Sequence, residues 1–264
     1  MPTLDVLSRD GVIEILRRLS LGEARFKELN EKVRNTRTLT RRLNELVAEG
    51  LIQKARVRYR ITGQGFDTAI RIAELEGEAG WEWIDLEELA KVKNEWMRIS
   101  LSHLARLFHE EFRHELVSIV LYGSAARDSF QLGRSDIDFL YILEDGSGSI
   151  WEREGRVFER FRSAWEYKAS DYWLKMQGSY GYPEVTTASL RKSQARSFQP
   201  IYLDMLFHRA ILYDREGFFL GLMEKLREAL VALGAVRIEH PDGTYMWSLK
   251  PDLAPGEIVE IDLG

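Results

Sequence analysis

Residues 116–143 read LVSIVLYGSAARDSFQLGRSDIDFLYIL, and the organisation of the chain follows from how this stretch divides. Val117–Tyr122, apolar except for Ser118 and half β-branched, has the pattern of a buried strand. Gly123-Ser124 ends it, and Ala125–Ser129 can form the first turn of a helix. Free N–H groups behind a glycine turn suit a phosphate. Ser135–Ile142 predicts a second strand. Side chains alternate along a strand, so Asp136 and Asp138 share one face about 7 Å apart, while Ile137 and Phe139 enter the core. Two carboxylates on one face of an apolar strand repel each other and resist burial. A divalent cation removes that conflict. Mg²⁺, held by one or two carboxylates plus substrate phosphates, fits a pair opposite a phosphate-binding turn.

Gly123-Ser124, eleven intervening residues and Asp136-Ile137-Asp138 resemble the signature of the DNA polymerase beta-like nucleotidyltransferase superfamily. Gly-Ser-Ala-Ala-Arg and Ser-Asp-Ile-Asp-Phe-Leu together look like its minimal and kanamycin-type members, and the likeness extends through Ile211-Leu212-Tyr213-Asp214-Arg215. The resemblance implies an α/β (α+β) domain with a short mixed sheet flanked by helices. In it Gly123, Ser124 and Arg127 bind the triphosphate, and Asp136 and Asp138 hold two Mg²⁺ ions. An acceptor hydroxyl then attacks the α-phosphorus of a nucleoside triphosphate, ATP foremost, and pyrophosphate leaves.

The family uses a third carboxylate on a neighbouring strand. Glu184, Asp171 and Asp204 are available. Asp204 sits in a helical run and Asp171 near a helix end, so the β-branched run Pro183–Thr187 favours Glu184 as catalytic group and metal ligand. Asp128 stands where relatives often carry glycine, which sets a negative charge near the triphosphate. A regulator that senses a nucleotide without turning it over is therefore the alternative to an enzyme.

Toward the N-terminus, Asp5–Leu19 carries apolar residues at helical spacing, and Arg25–Val33 predicts a second, shorter helix. A third begins behind Thr36 or Thr38 as cap, buries Leu39, Leu43, Leu46 and Val47, and ends at Gly50. Leu51-Ile52 and Val57–Ile61 predict a small hairpin. Three helices and a hairpin make a winged helix-turn-helix, and Phe26–Leu29, Thr38–Leu46, Gly50–Ile52 and Tyr59–Gly65 resemble bacterial and archaeal winged-helix regulators. In such a module the third helix enters the major groove and the wing touches backbone. Arg37, Thr38, Arg41 and Arg42 are then the groove-facing candidates, and Arg56, Arg58 and Arg60 the wing contacts to duplex DNA. The pairing of the two modules, with the tail Trp247–Asp252, looks like a group of archaeal nucleotidyltransferase-like proteins.

Charge supports the division. Residues 1–80 carry 15 basic against 12 acidic residues, while residues 81–264 carry 22 against 30. Within Arg25–Arg60 the balance is 11 to 4, a local footprint for phosphate backbones in an acidic protein. The expected domains are a winged helix-turn-helix over 1–80, connector helices over 81–115 and a nucleotidyltransferase domain over 116–264. The connector reads as one long helix from Leu86 to Leu116, and such a helix can carry homodimer contacts. His103, His109 and His114 are spaced by six and five, not the three or four of a zinc site on one helix face. With 45% hydrophobic and 30% charged residues the chain is a folded one. It has no cysteine, which excludes disulfides, thiolate zinc sites and cysteine nucleophiles. No apolar run approaches a membrane span and no leader opens the chain, so a cytoplasmic location is expected.

Overall fold

The computed structural model describes residues 4–78, 84–127, 129–146, 148–240, 244–254 and 256–264. The N-terminal module opens with α1 (Leu4–Leu7) and α2 (Val12–Leu19). The single helix expected over Asp5–Leu19 divides because Gly11, in the left-handed region at φ 82°, precedes α2 as its N-cap. β1 (Ala24–Arg25) leads into α3 (Phe26–Val33) and α4 (Thr36–Ala48). The cap of α4 is Asn35, not a threonine: its Oδ1 accepts from the amides of Arg37 (3.1 Å) and Thr38 (3.0 Å). Gly50, at φ 72°, closes the helix as expected.

β2 (Ile52–Ala55) and β3 (Arg58–Ile61) form the wing, and β1 adds to β3 to give the order β1-β3-β2. α5 (Gly63–Glu78) follows. Ile15, Leu16, Leu29, Leu39, Leu43 and Phe66 form the buried centre of this winged helix-turn-helix.

The long connector helix is broken. α6 (Leu86–Ala90) is capped by the Asp85 carboxylate, and α7 (Glu95–Phe112) starts at Asn94. Gly77–Gly80, which reads in the sequence as a glycine-rich break before Trp81, is helical through Glu78, and residues 79–83 lie outside the described residues. α7 buries Met97, Leu101, Leu104, Phe108 and Phe112 in the same cluster as Phe139 and Tyr141 of the central sheet.

That sheet contains β4 (Leu116–Tyr122), β5 (Ile137–Leu143), β6 (Val185–Arg191) and β7 (Ala210–Asp214) in the order β6-β5-β4-β7. β4 runs antiparallel to β5 and β7, and β5 is parallel to β6, so the sheet is mixed as expected. Between β4 and β5 sits a single helical turn, α8 (Gly123–Ala126). Trp151–Tyr167 reads in the sequence as one helix of mixed face, but the structure has α9 (Ile150–Ser163) and α10 (Trp165–Met176), the chain being extended at Ala164. With α7, α9 packs on one face of the sheet. After α11 (Lys192–Ala195) and α12 (Tyr202–Met205), α13 (Phe218–Ala232) covers the other face with Phe219, Leu222 and Leu226.

The chain closes with a hairpin of β8 (Val236–Glu239) and β9 (Tyr245–Ser248), of which β8 was not expected. Glu257–Leu263 reads in the sequence as a short strand, but among the described residues it makes only one bridge, Ser197 to Asp262.

The two halves share their packing. Trp173 of α10 stacks on Phe66 of α5 with ring centroids 4.6 Å apart, and Trp165 Nε1 donates to the Arg17 carbonyl at 3.1 Å. Ile99 of α7 and Ala169 of α10 are buried within the N-terminal core. No described helix is long and apolar enough to cross a membrane.

Candidate functional site

The turn after β4 and the start of β5 meet where register requires: Tyr122 is paired with Asp138. β5 begins two residues later than expected, so Asp136 lies just before it and is exposed, while Asp138 is half-buried. Gly123 takes φ 68°. A Cβ built there would overlap Oδ2 of Asp138 and stand 2.9 Å from its Cγ. The Asp138 carboxylate is therefore seated on the glycine, and no other residue leaves it that room. Ser124 is half-buried behind it, its carbonyl accepting from the amides of Arg127 and Ser129, each at 3.3 Å.

Burial, then the charges of Asp136 and Asp204, push the Asp138 carboxyl above its ordinary value, against the pull of Arg127. The Tyr122 hydroxyl is raised by burial and by the charges of Asp138 and Asp204. Asp204 of α12 thus belongs to this group. It lies 3.5 Å from the Arg127 guanidinium and accepts from the Tyr245 hydroxyl of β9.

The three candidate third carboxylates separate. Glu184 immediately precedes β6, and its carbonyl accepts from the Ile137 amide at 2.8 Å. It lines a hollow of about 580 Å³ with Trp151, Glu154, Phe158, Arg162 and Tyr182. Asp171 is tied to Lys175 (2.7 Å) and to the Tyr182 amide (2.9 Å) within and beside α10. The structure brings only Asp204 of the three among the charges acting on Asp138. The reason is sheet order: β7 lies beside β4, so α12, the turn of helix that precedes it, reaches the end of β4. Among the described residues no three His, Asp or Glu side chains converge closely enough to hold a metal by themselves. Asp128 lies outside the described residues.

In the basic module, Arg37, Thr40, Arg41 and Asn44 form the exposed outer face of α4, with a shallow hollow of about 440 Å³ between them, Thr36 and Glu45. Thr38 is half-buried at the helix start. Arg42 does not face the groove. It is buried, with Nε donating to the Asp10 carbonyl (3.1 Å) and Nη1 to Glu45 (2.9 Å). Three residues after Leu39 and four before Leu46, it lies on their inward face.

Arg56 is exposed at the wing tip with φ 56°, and Arg58 and Arg60 alternate outward from the buried Tyr59 and Ile61. Arg25, which the sequence reading did not single out, is the register partner of Arg58. His103 is a packing residue, 2.8 Å from Arg106 and 3.6 Å from Glu166.

Two families match this chain. One is described as a nucleotidyltransferase domain and covers residues 102–180; the other, an HxlR-like helix-turn-helix, covers residues 7–87. The chain is also similar to an uncharacterized HTH-type transcriptional regulator of Methanocaldococcus jannaschii, with 38% identity over 85 residues. Those residues are 29% of this chain and 79% of that protein. No solved structure matches.

Proposed function

We propose, for a chain that belongs to the HxlR-like helix-turn-helix regulators and carries a nucleotidyltransferase domain, that it transfers a nucleoside monophosphate from a triphosphate to a hydroxyl acceptor while bound to duplex DNA. The observation that carries this reading is the seating of Asp138 on Gly123, which joins the phosphate-binding turn to the acidic pair.

The acidic group also suits Mg²⁺. Its donors are all oxygens, and a cation would relieve both the burial and, after it, the Asp136 and Asp204 charges that raise the Asp138 carboxyl. Asp136 and Asp138 would hold the ion together with phosphate oxygens. Bound there, Mg²⁺ supplies neutralisation of charge on the entering and leaving oxygens.

The chain's own residues supply the rest. Gly123, Ser124 and Arg127 position the triphosphate. Asp204, once released from Tyr245, takes the proton of the acceptor hydroxyl as its oxygen bonds to the α-phosphorus and pyrophosphate departs. Arg37, Thr38 and Arg41 meet base edges, and Arg56, Arg58 and Arg60 the phosphates.

One observation favours a second reading, a nucleotide sensor. Trp96 packs against both the N-terminal core and the catalytic core. It also contacts Phe130, in the loop between the Gly-Ser turn and Asp136, at 6.2 Å between ring centroids. A nucleotide that moves this loop would then be felt in the DNA-binding module. Calorimetry with Mg·ATP tests what both readings share: the parent should bind, and Asp136→Asn with Asp138→Asn should not. Equal binding by the double variant would place the nucleotide elsewhere.

A further inference from the structure

The C-terminal hairpin lies outside the residues matched by the nucleotidyltransferase family, yet it closes over the site. The Tyr245 hydroxyl donates to Asp204. The Arg237 guanidinium of β8 stands 4.1 Å from the centroid of the Tyr245 ring and 5.3 Å from that of Phe207. Phe207 in turn stacks on Trp247 of β9 at 6.2 Å. Arg127, 3.5 Å from Asp204, and Arg237 both act on Tyr245 by charge. Arg127, Asp204, Tyr245 and Arg237 are therefore consecutive neighbours.

Around this group three buried N–H donors find no hydrogen-bond partner among the described residues: Nε of Arg127, Nε of Arg237 and Nε1 of Trp247. Buried donors are paired almost without exception, and an orphan calls for an acceptor. Arg237 is engaged at Nη1 by Glu239 (2.6 Å) and held between two rings, so its free edge is fixed in direction. Two guanidinium Nε–H groups and an indole N–H without acceptors, the Arg127 one beside the glycine turn, match the oxygens of a polyphosphate.

We infer that Arg237 is a phosphate-binding residue of the nucleotide site, delivered by the C-terminal hairpin to act beside Arg127. The inference rests on the nucleotidyltransferase reading, and deepens it by assigning polyphosphate recognition to a segment beyond the matched domain.

The test is calorimetric titration of the full chain and of Arg237→Met with inorganic pyrophosphate, Mg·ATP, Mg·ADP and AMP. Methionine keeps a flexible stem against the two rings and removes the guanidinium. Affinity for pyrophosphate and Mg·ATP should fall about tenfold to a hundredfold, the size of a lost charge-assisted pair. The loss should shrink for Mg·ADP and vanish for AMP, and Arg237→Lys should recover part of it.

Parent-like binding by Arg237→Met overturns the inference and leaves the nucleotide reading standing. An equal loss for AMP and Mg·ATP also overturns it, since a merely structural residue does not count phosphates. If the parent binds pyrophosphate through Arg237 but no nucleotide, the phosphate site holds and the nucleotide reading falls. If the parent binds neither, both fall.

Discussion

Gly123→Ala separates a backbone cost from a functional one. At φ 68° an alanine gives up about 1–2 kcal/mol relative to glycine, which in a chain of this size lowers Tm by a few degrees. The methyl group also enters the space of Asp138, 2.9 Å from Cγ and 3.3 Å from Cβ. Every atom in its way belongs to the Asp138 side chain, so the carboxylate swings off the turn. Gly217 provides the control: it has φ 66° and nothing within 4 Å of a built Cβ. Gly217→Ala therefore carries the backbone cost alone. Thermal melting with Mg·ATP calorimetry should show comparable losses of Tm for the two variants, and a loss of nucleotide affinity of about tenfold or more for Gly123→Ala only. If Gly123→Ala binds Mg·ATP as Gly217→Ala does, Asp138 has no part in the nucleotide site.

Because the folded Asp138 carboxyl holds its proton to a higher pH than the unfolded one, stability should fall as pH rises from the ordinary carboxylate range through that raised value. In EDTA, Asp138→Asn should flatten this fall and melt above the parent at neutral pH; an unchanged pH profile would contradict the assigned strain. Asp204→Asn should reduce transfer on the order of 10²-fold while Mg·ATP still binds, and Glu184→Gln should leave transfer near normal; the opposite pattern in a steady-state assay returns the role to Glu184. Arg37→Ala with Arg41→Ala should weaken duplex binding and reduce the slope of log affinity against log salt, whereas Arg42→Ala should lower Tm with its loss of the Asp10 and Glu45 contacts. A salt slope unchanged in the double variant would remove DNA from α4.

What was legible in the sequence was local. The apolar run into Gly123-Ser124, the alternation through Asp136-Ile137-Asp138 and the heptad-like spacing of Leu39, Leu43 and Leu46 each lie within a dozen residues, and each element formed. Helix ends were less legible. Periodicity runs through Gly11, through Val92–Asn94 and past Ala164, but left-handed or extended backbone at Gly11 and Ala164 stops the helices. Arg42 was misread although the signal was present, since its spacing from Leu39 and Leu46 already put it on the inward face.

The site's remaining members were not legible for a different reason. Asp204 reaches Asp138, and Tyr245 and Arg237 line up behind Asp204, only through sheet order and a hairpin more than sixty residues away. β8 is four residues long with only Val236 and Ile238 alternating, too short a pattern to announce a strand. Only Val185–Thr187 of the run Pro183–Thr187 entered β6, so β propensity located the strand while leaving Glu184 just before it and saying nothing about which carboxylate faces the acidic pair.

The most direct test of nucleotidyl transfer is incubation of the full chain with ATP labelled at the α-phosphate, Mg²⁺ and cell extract, followed by locating the label. The account predicts label covalently attached to an acceptor by the parent and none by the variant with Asp136→Asn and Asp138→Asn. Labelling that persists in the double variant, or a parent that binds Mg·ATP and transfers nothing, would contradict it.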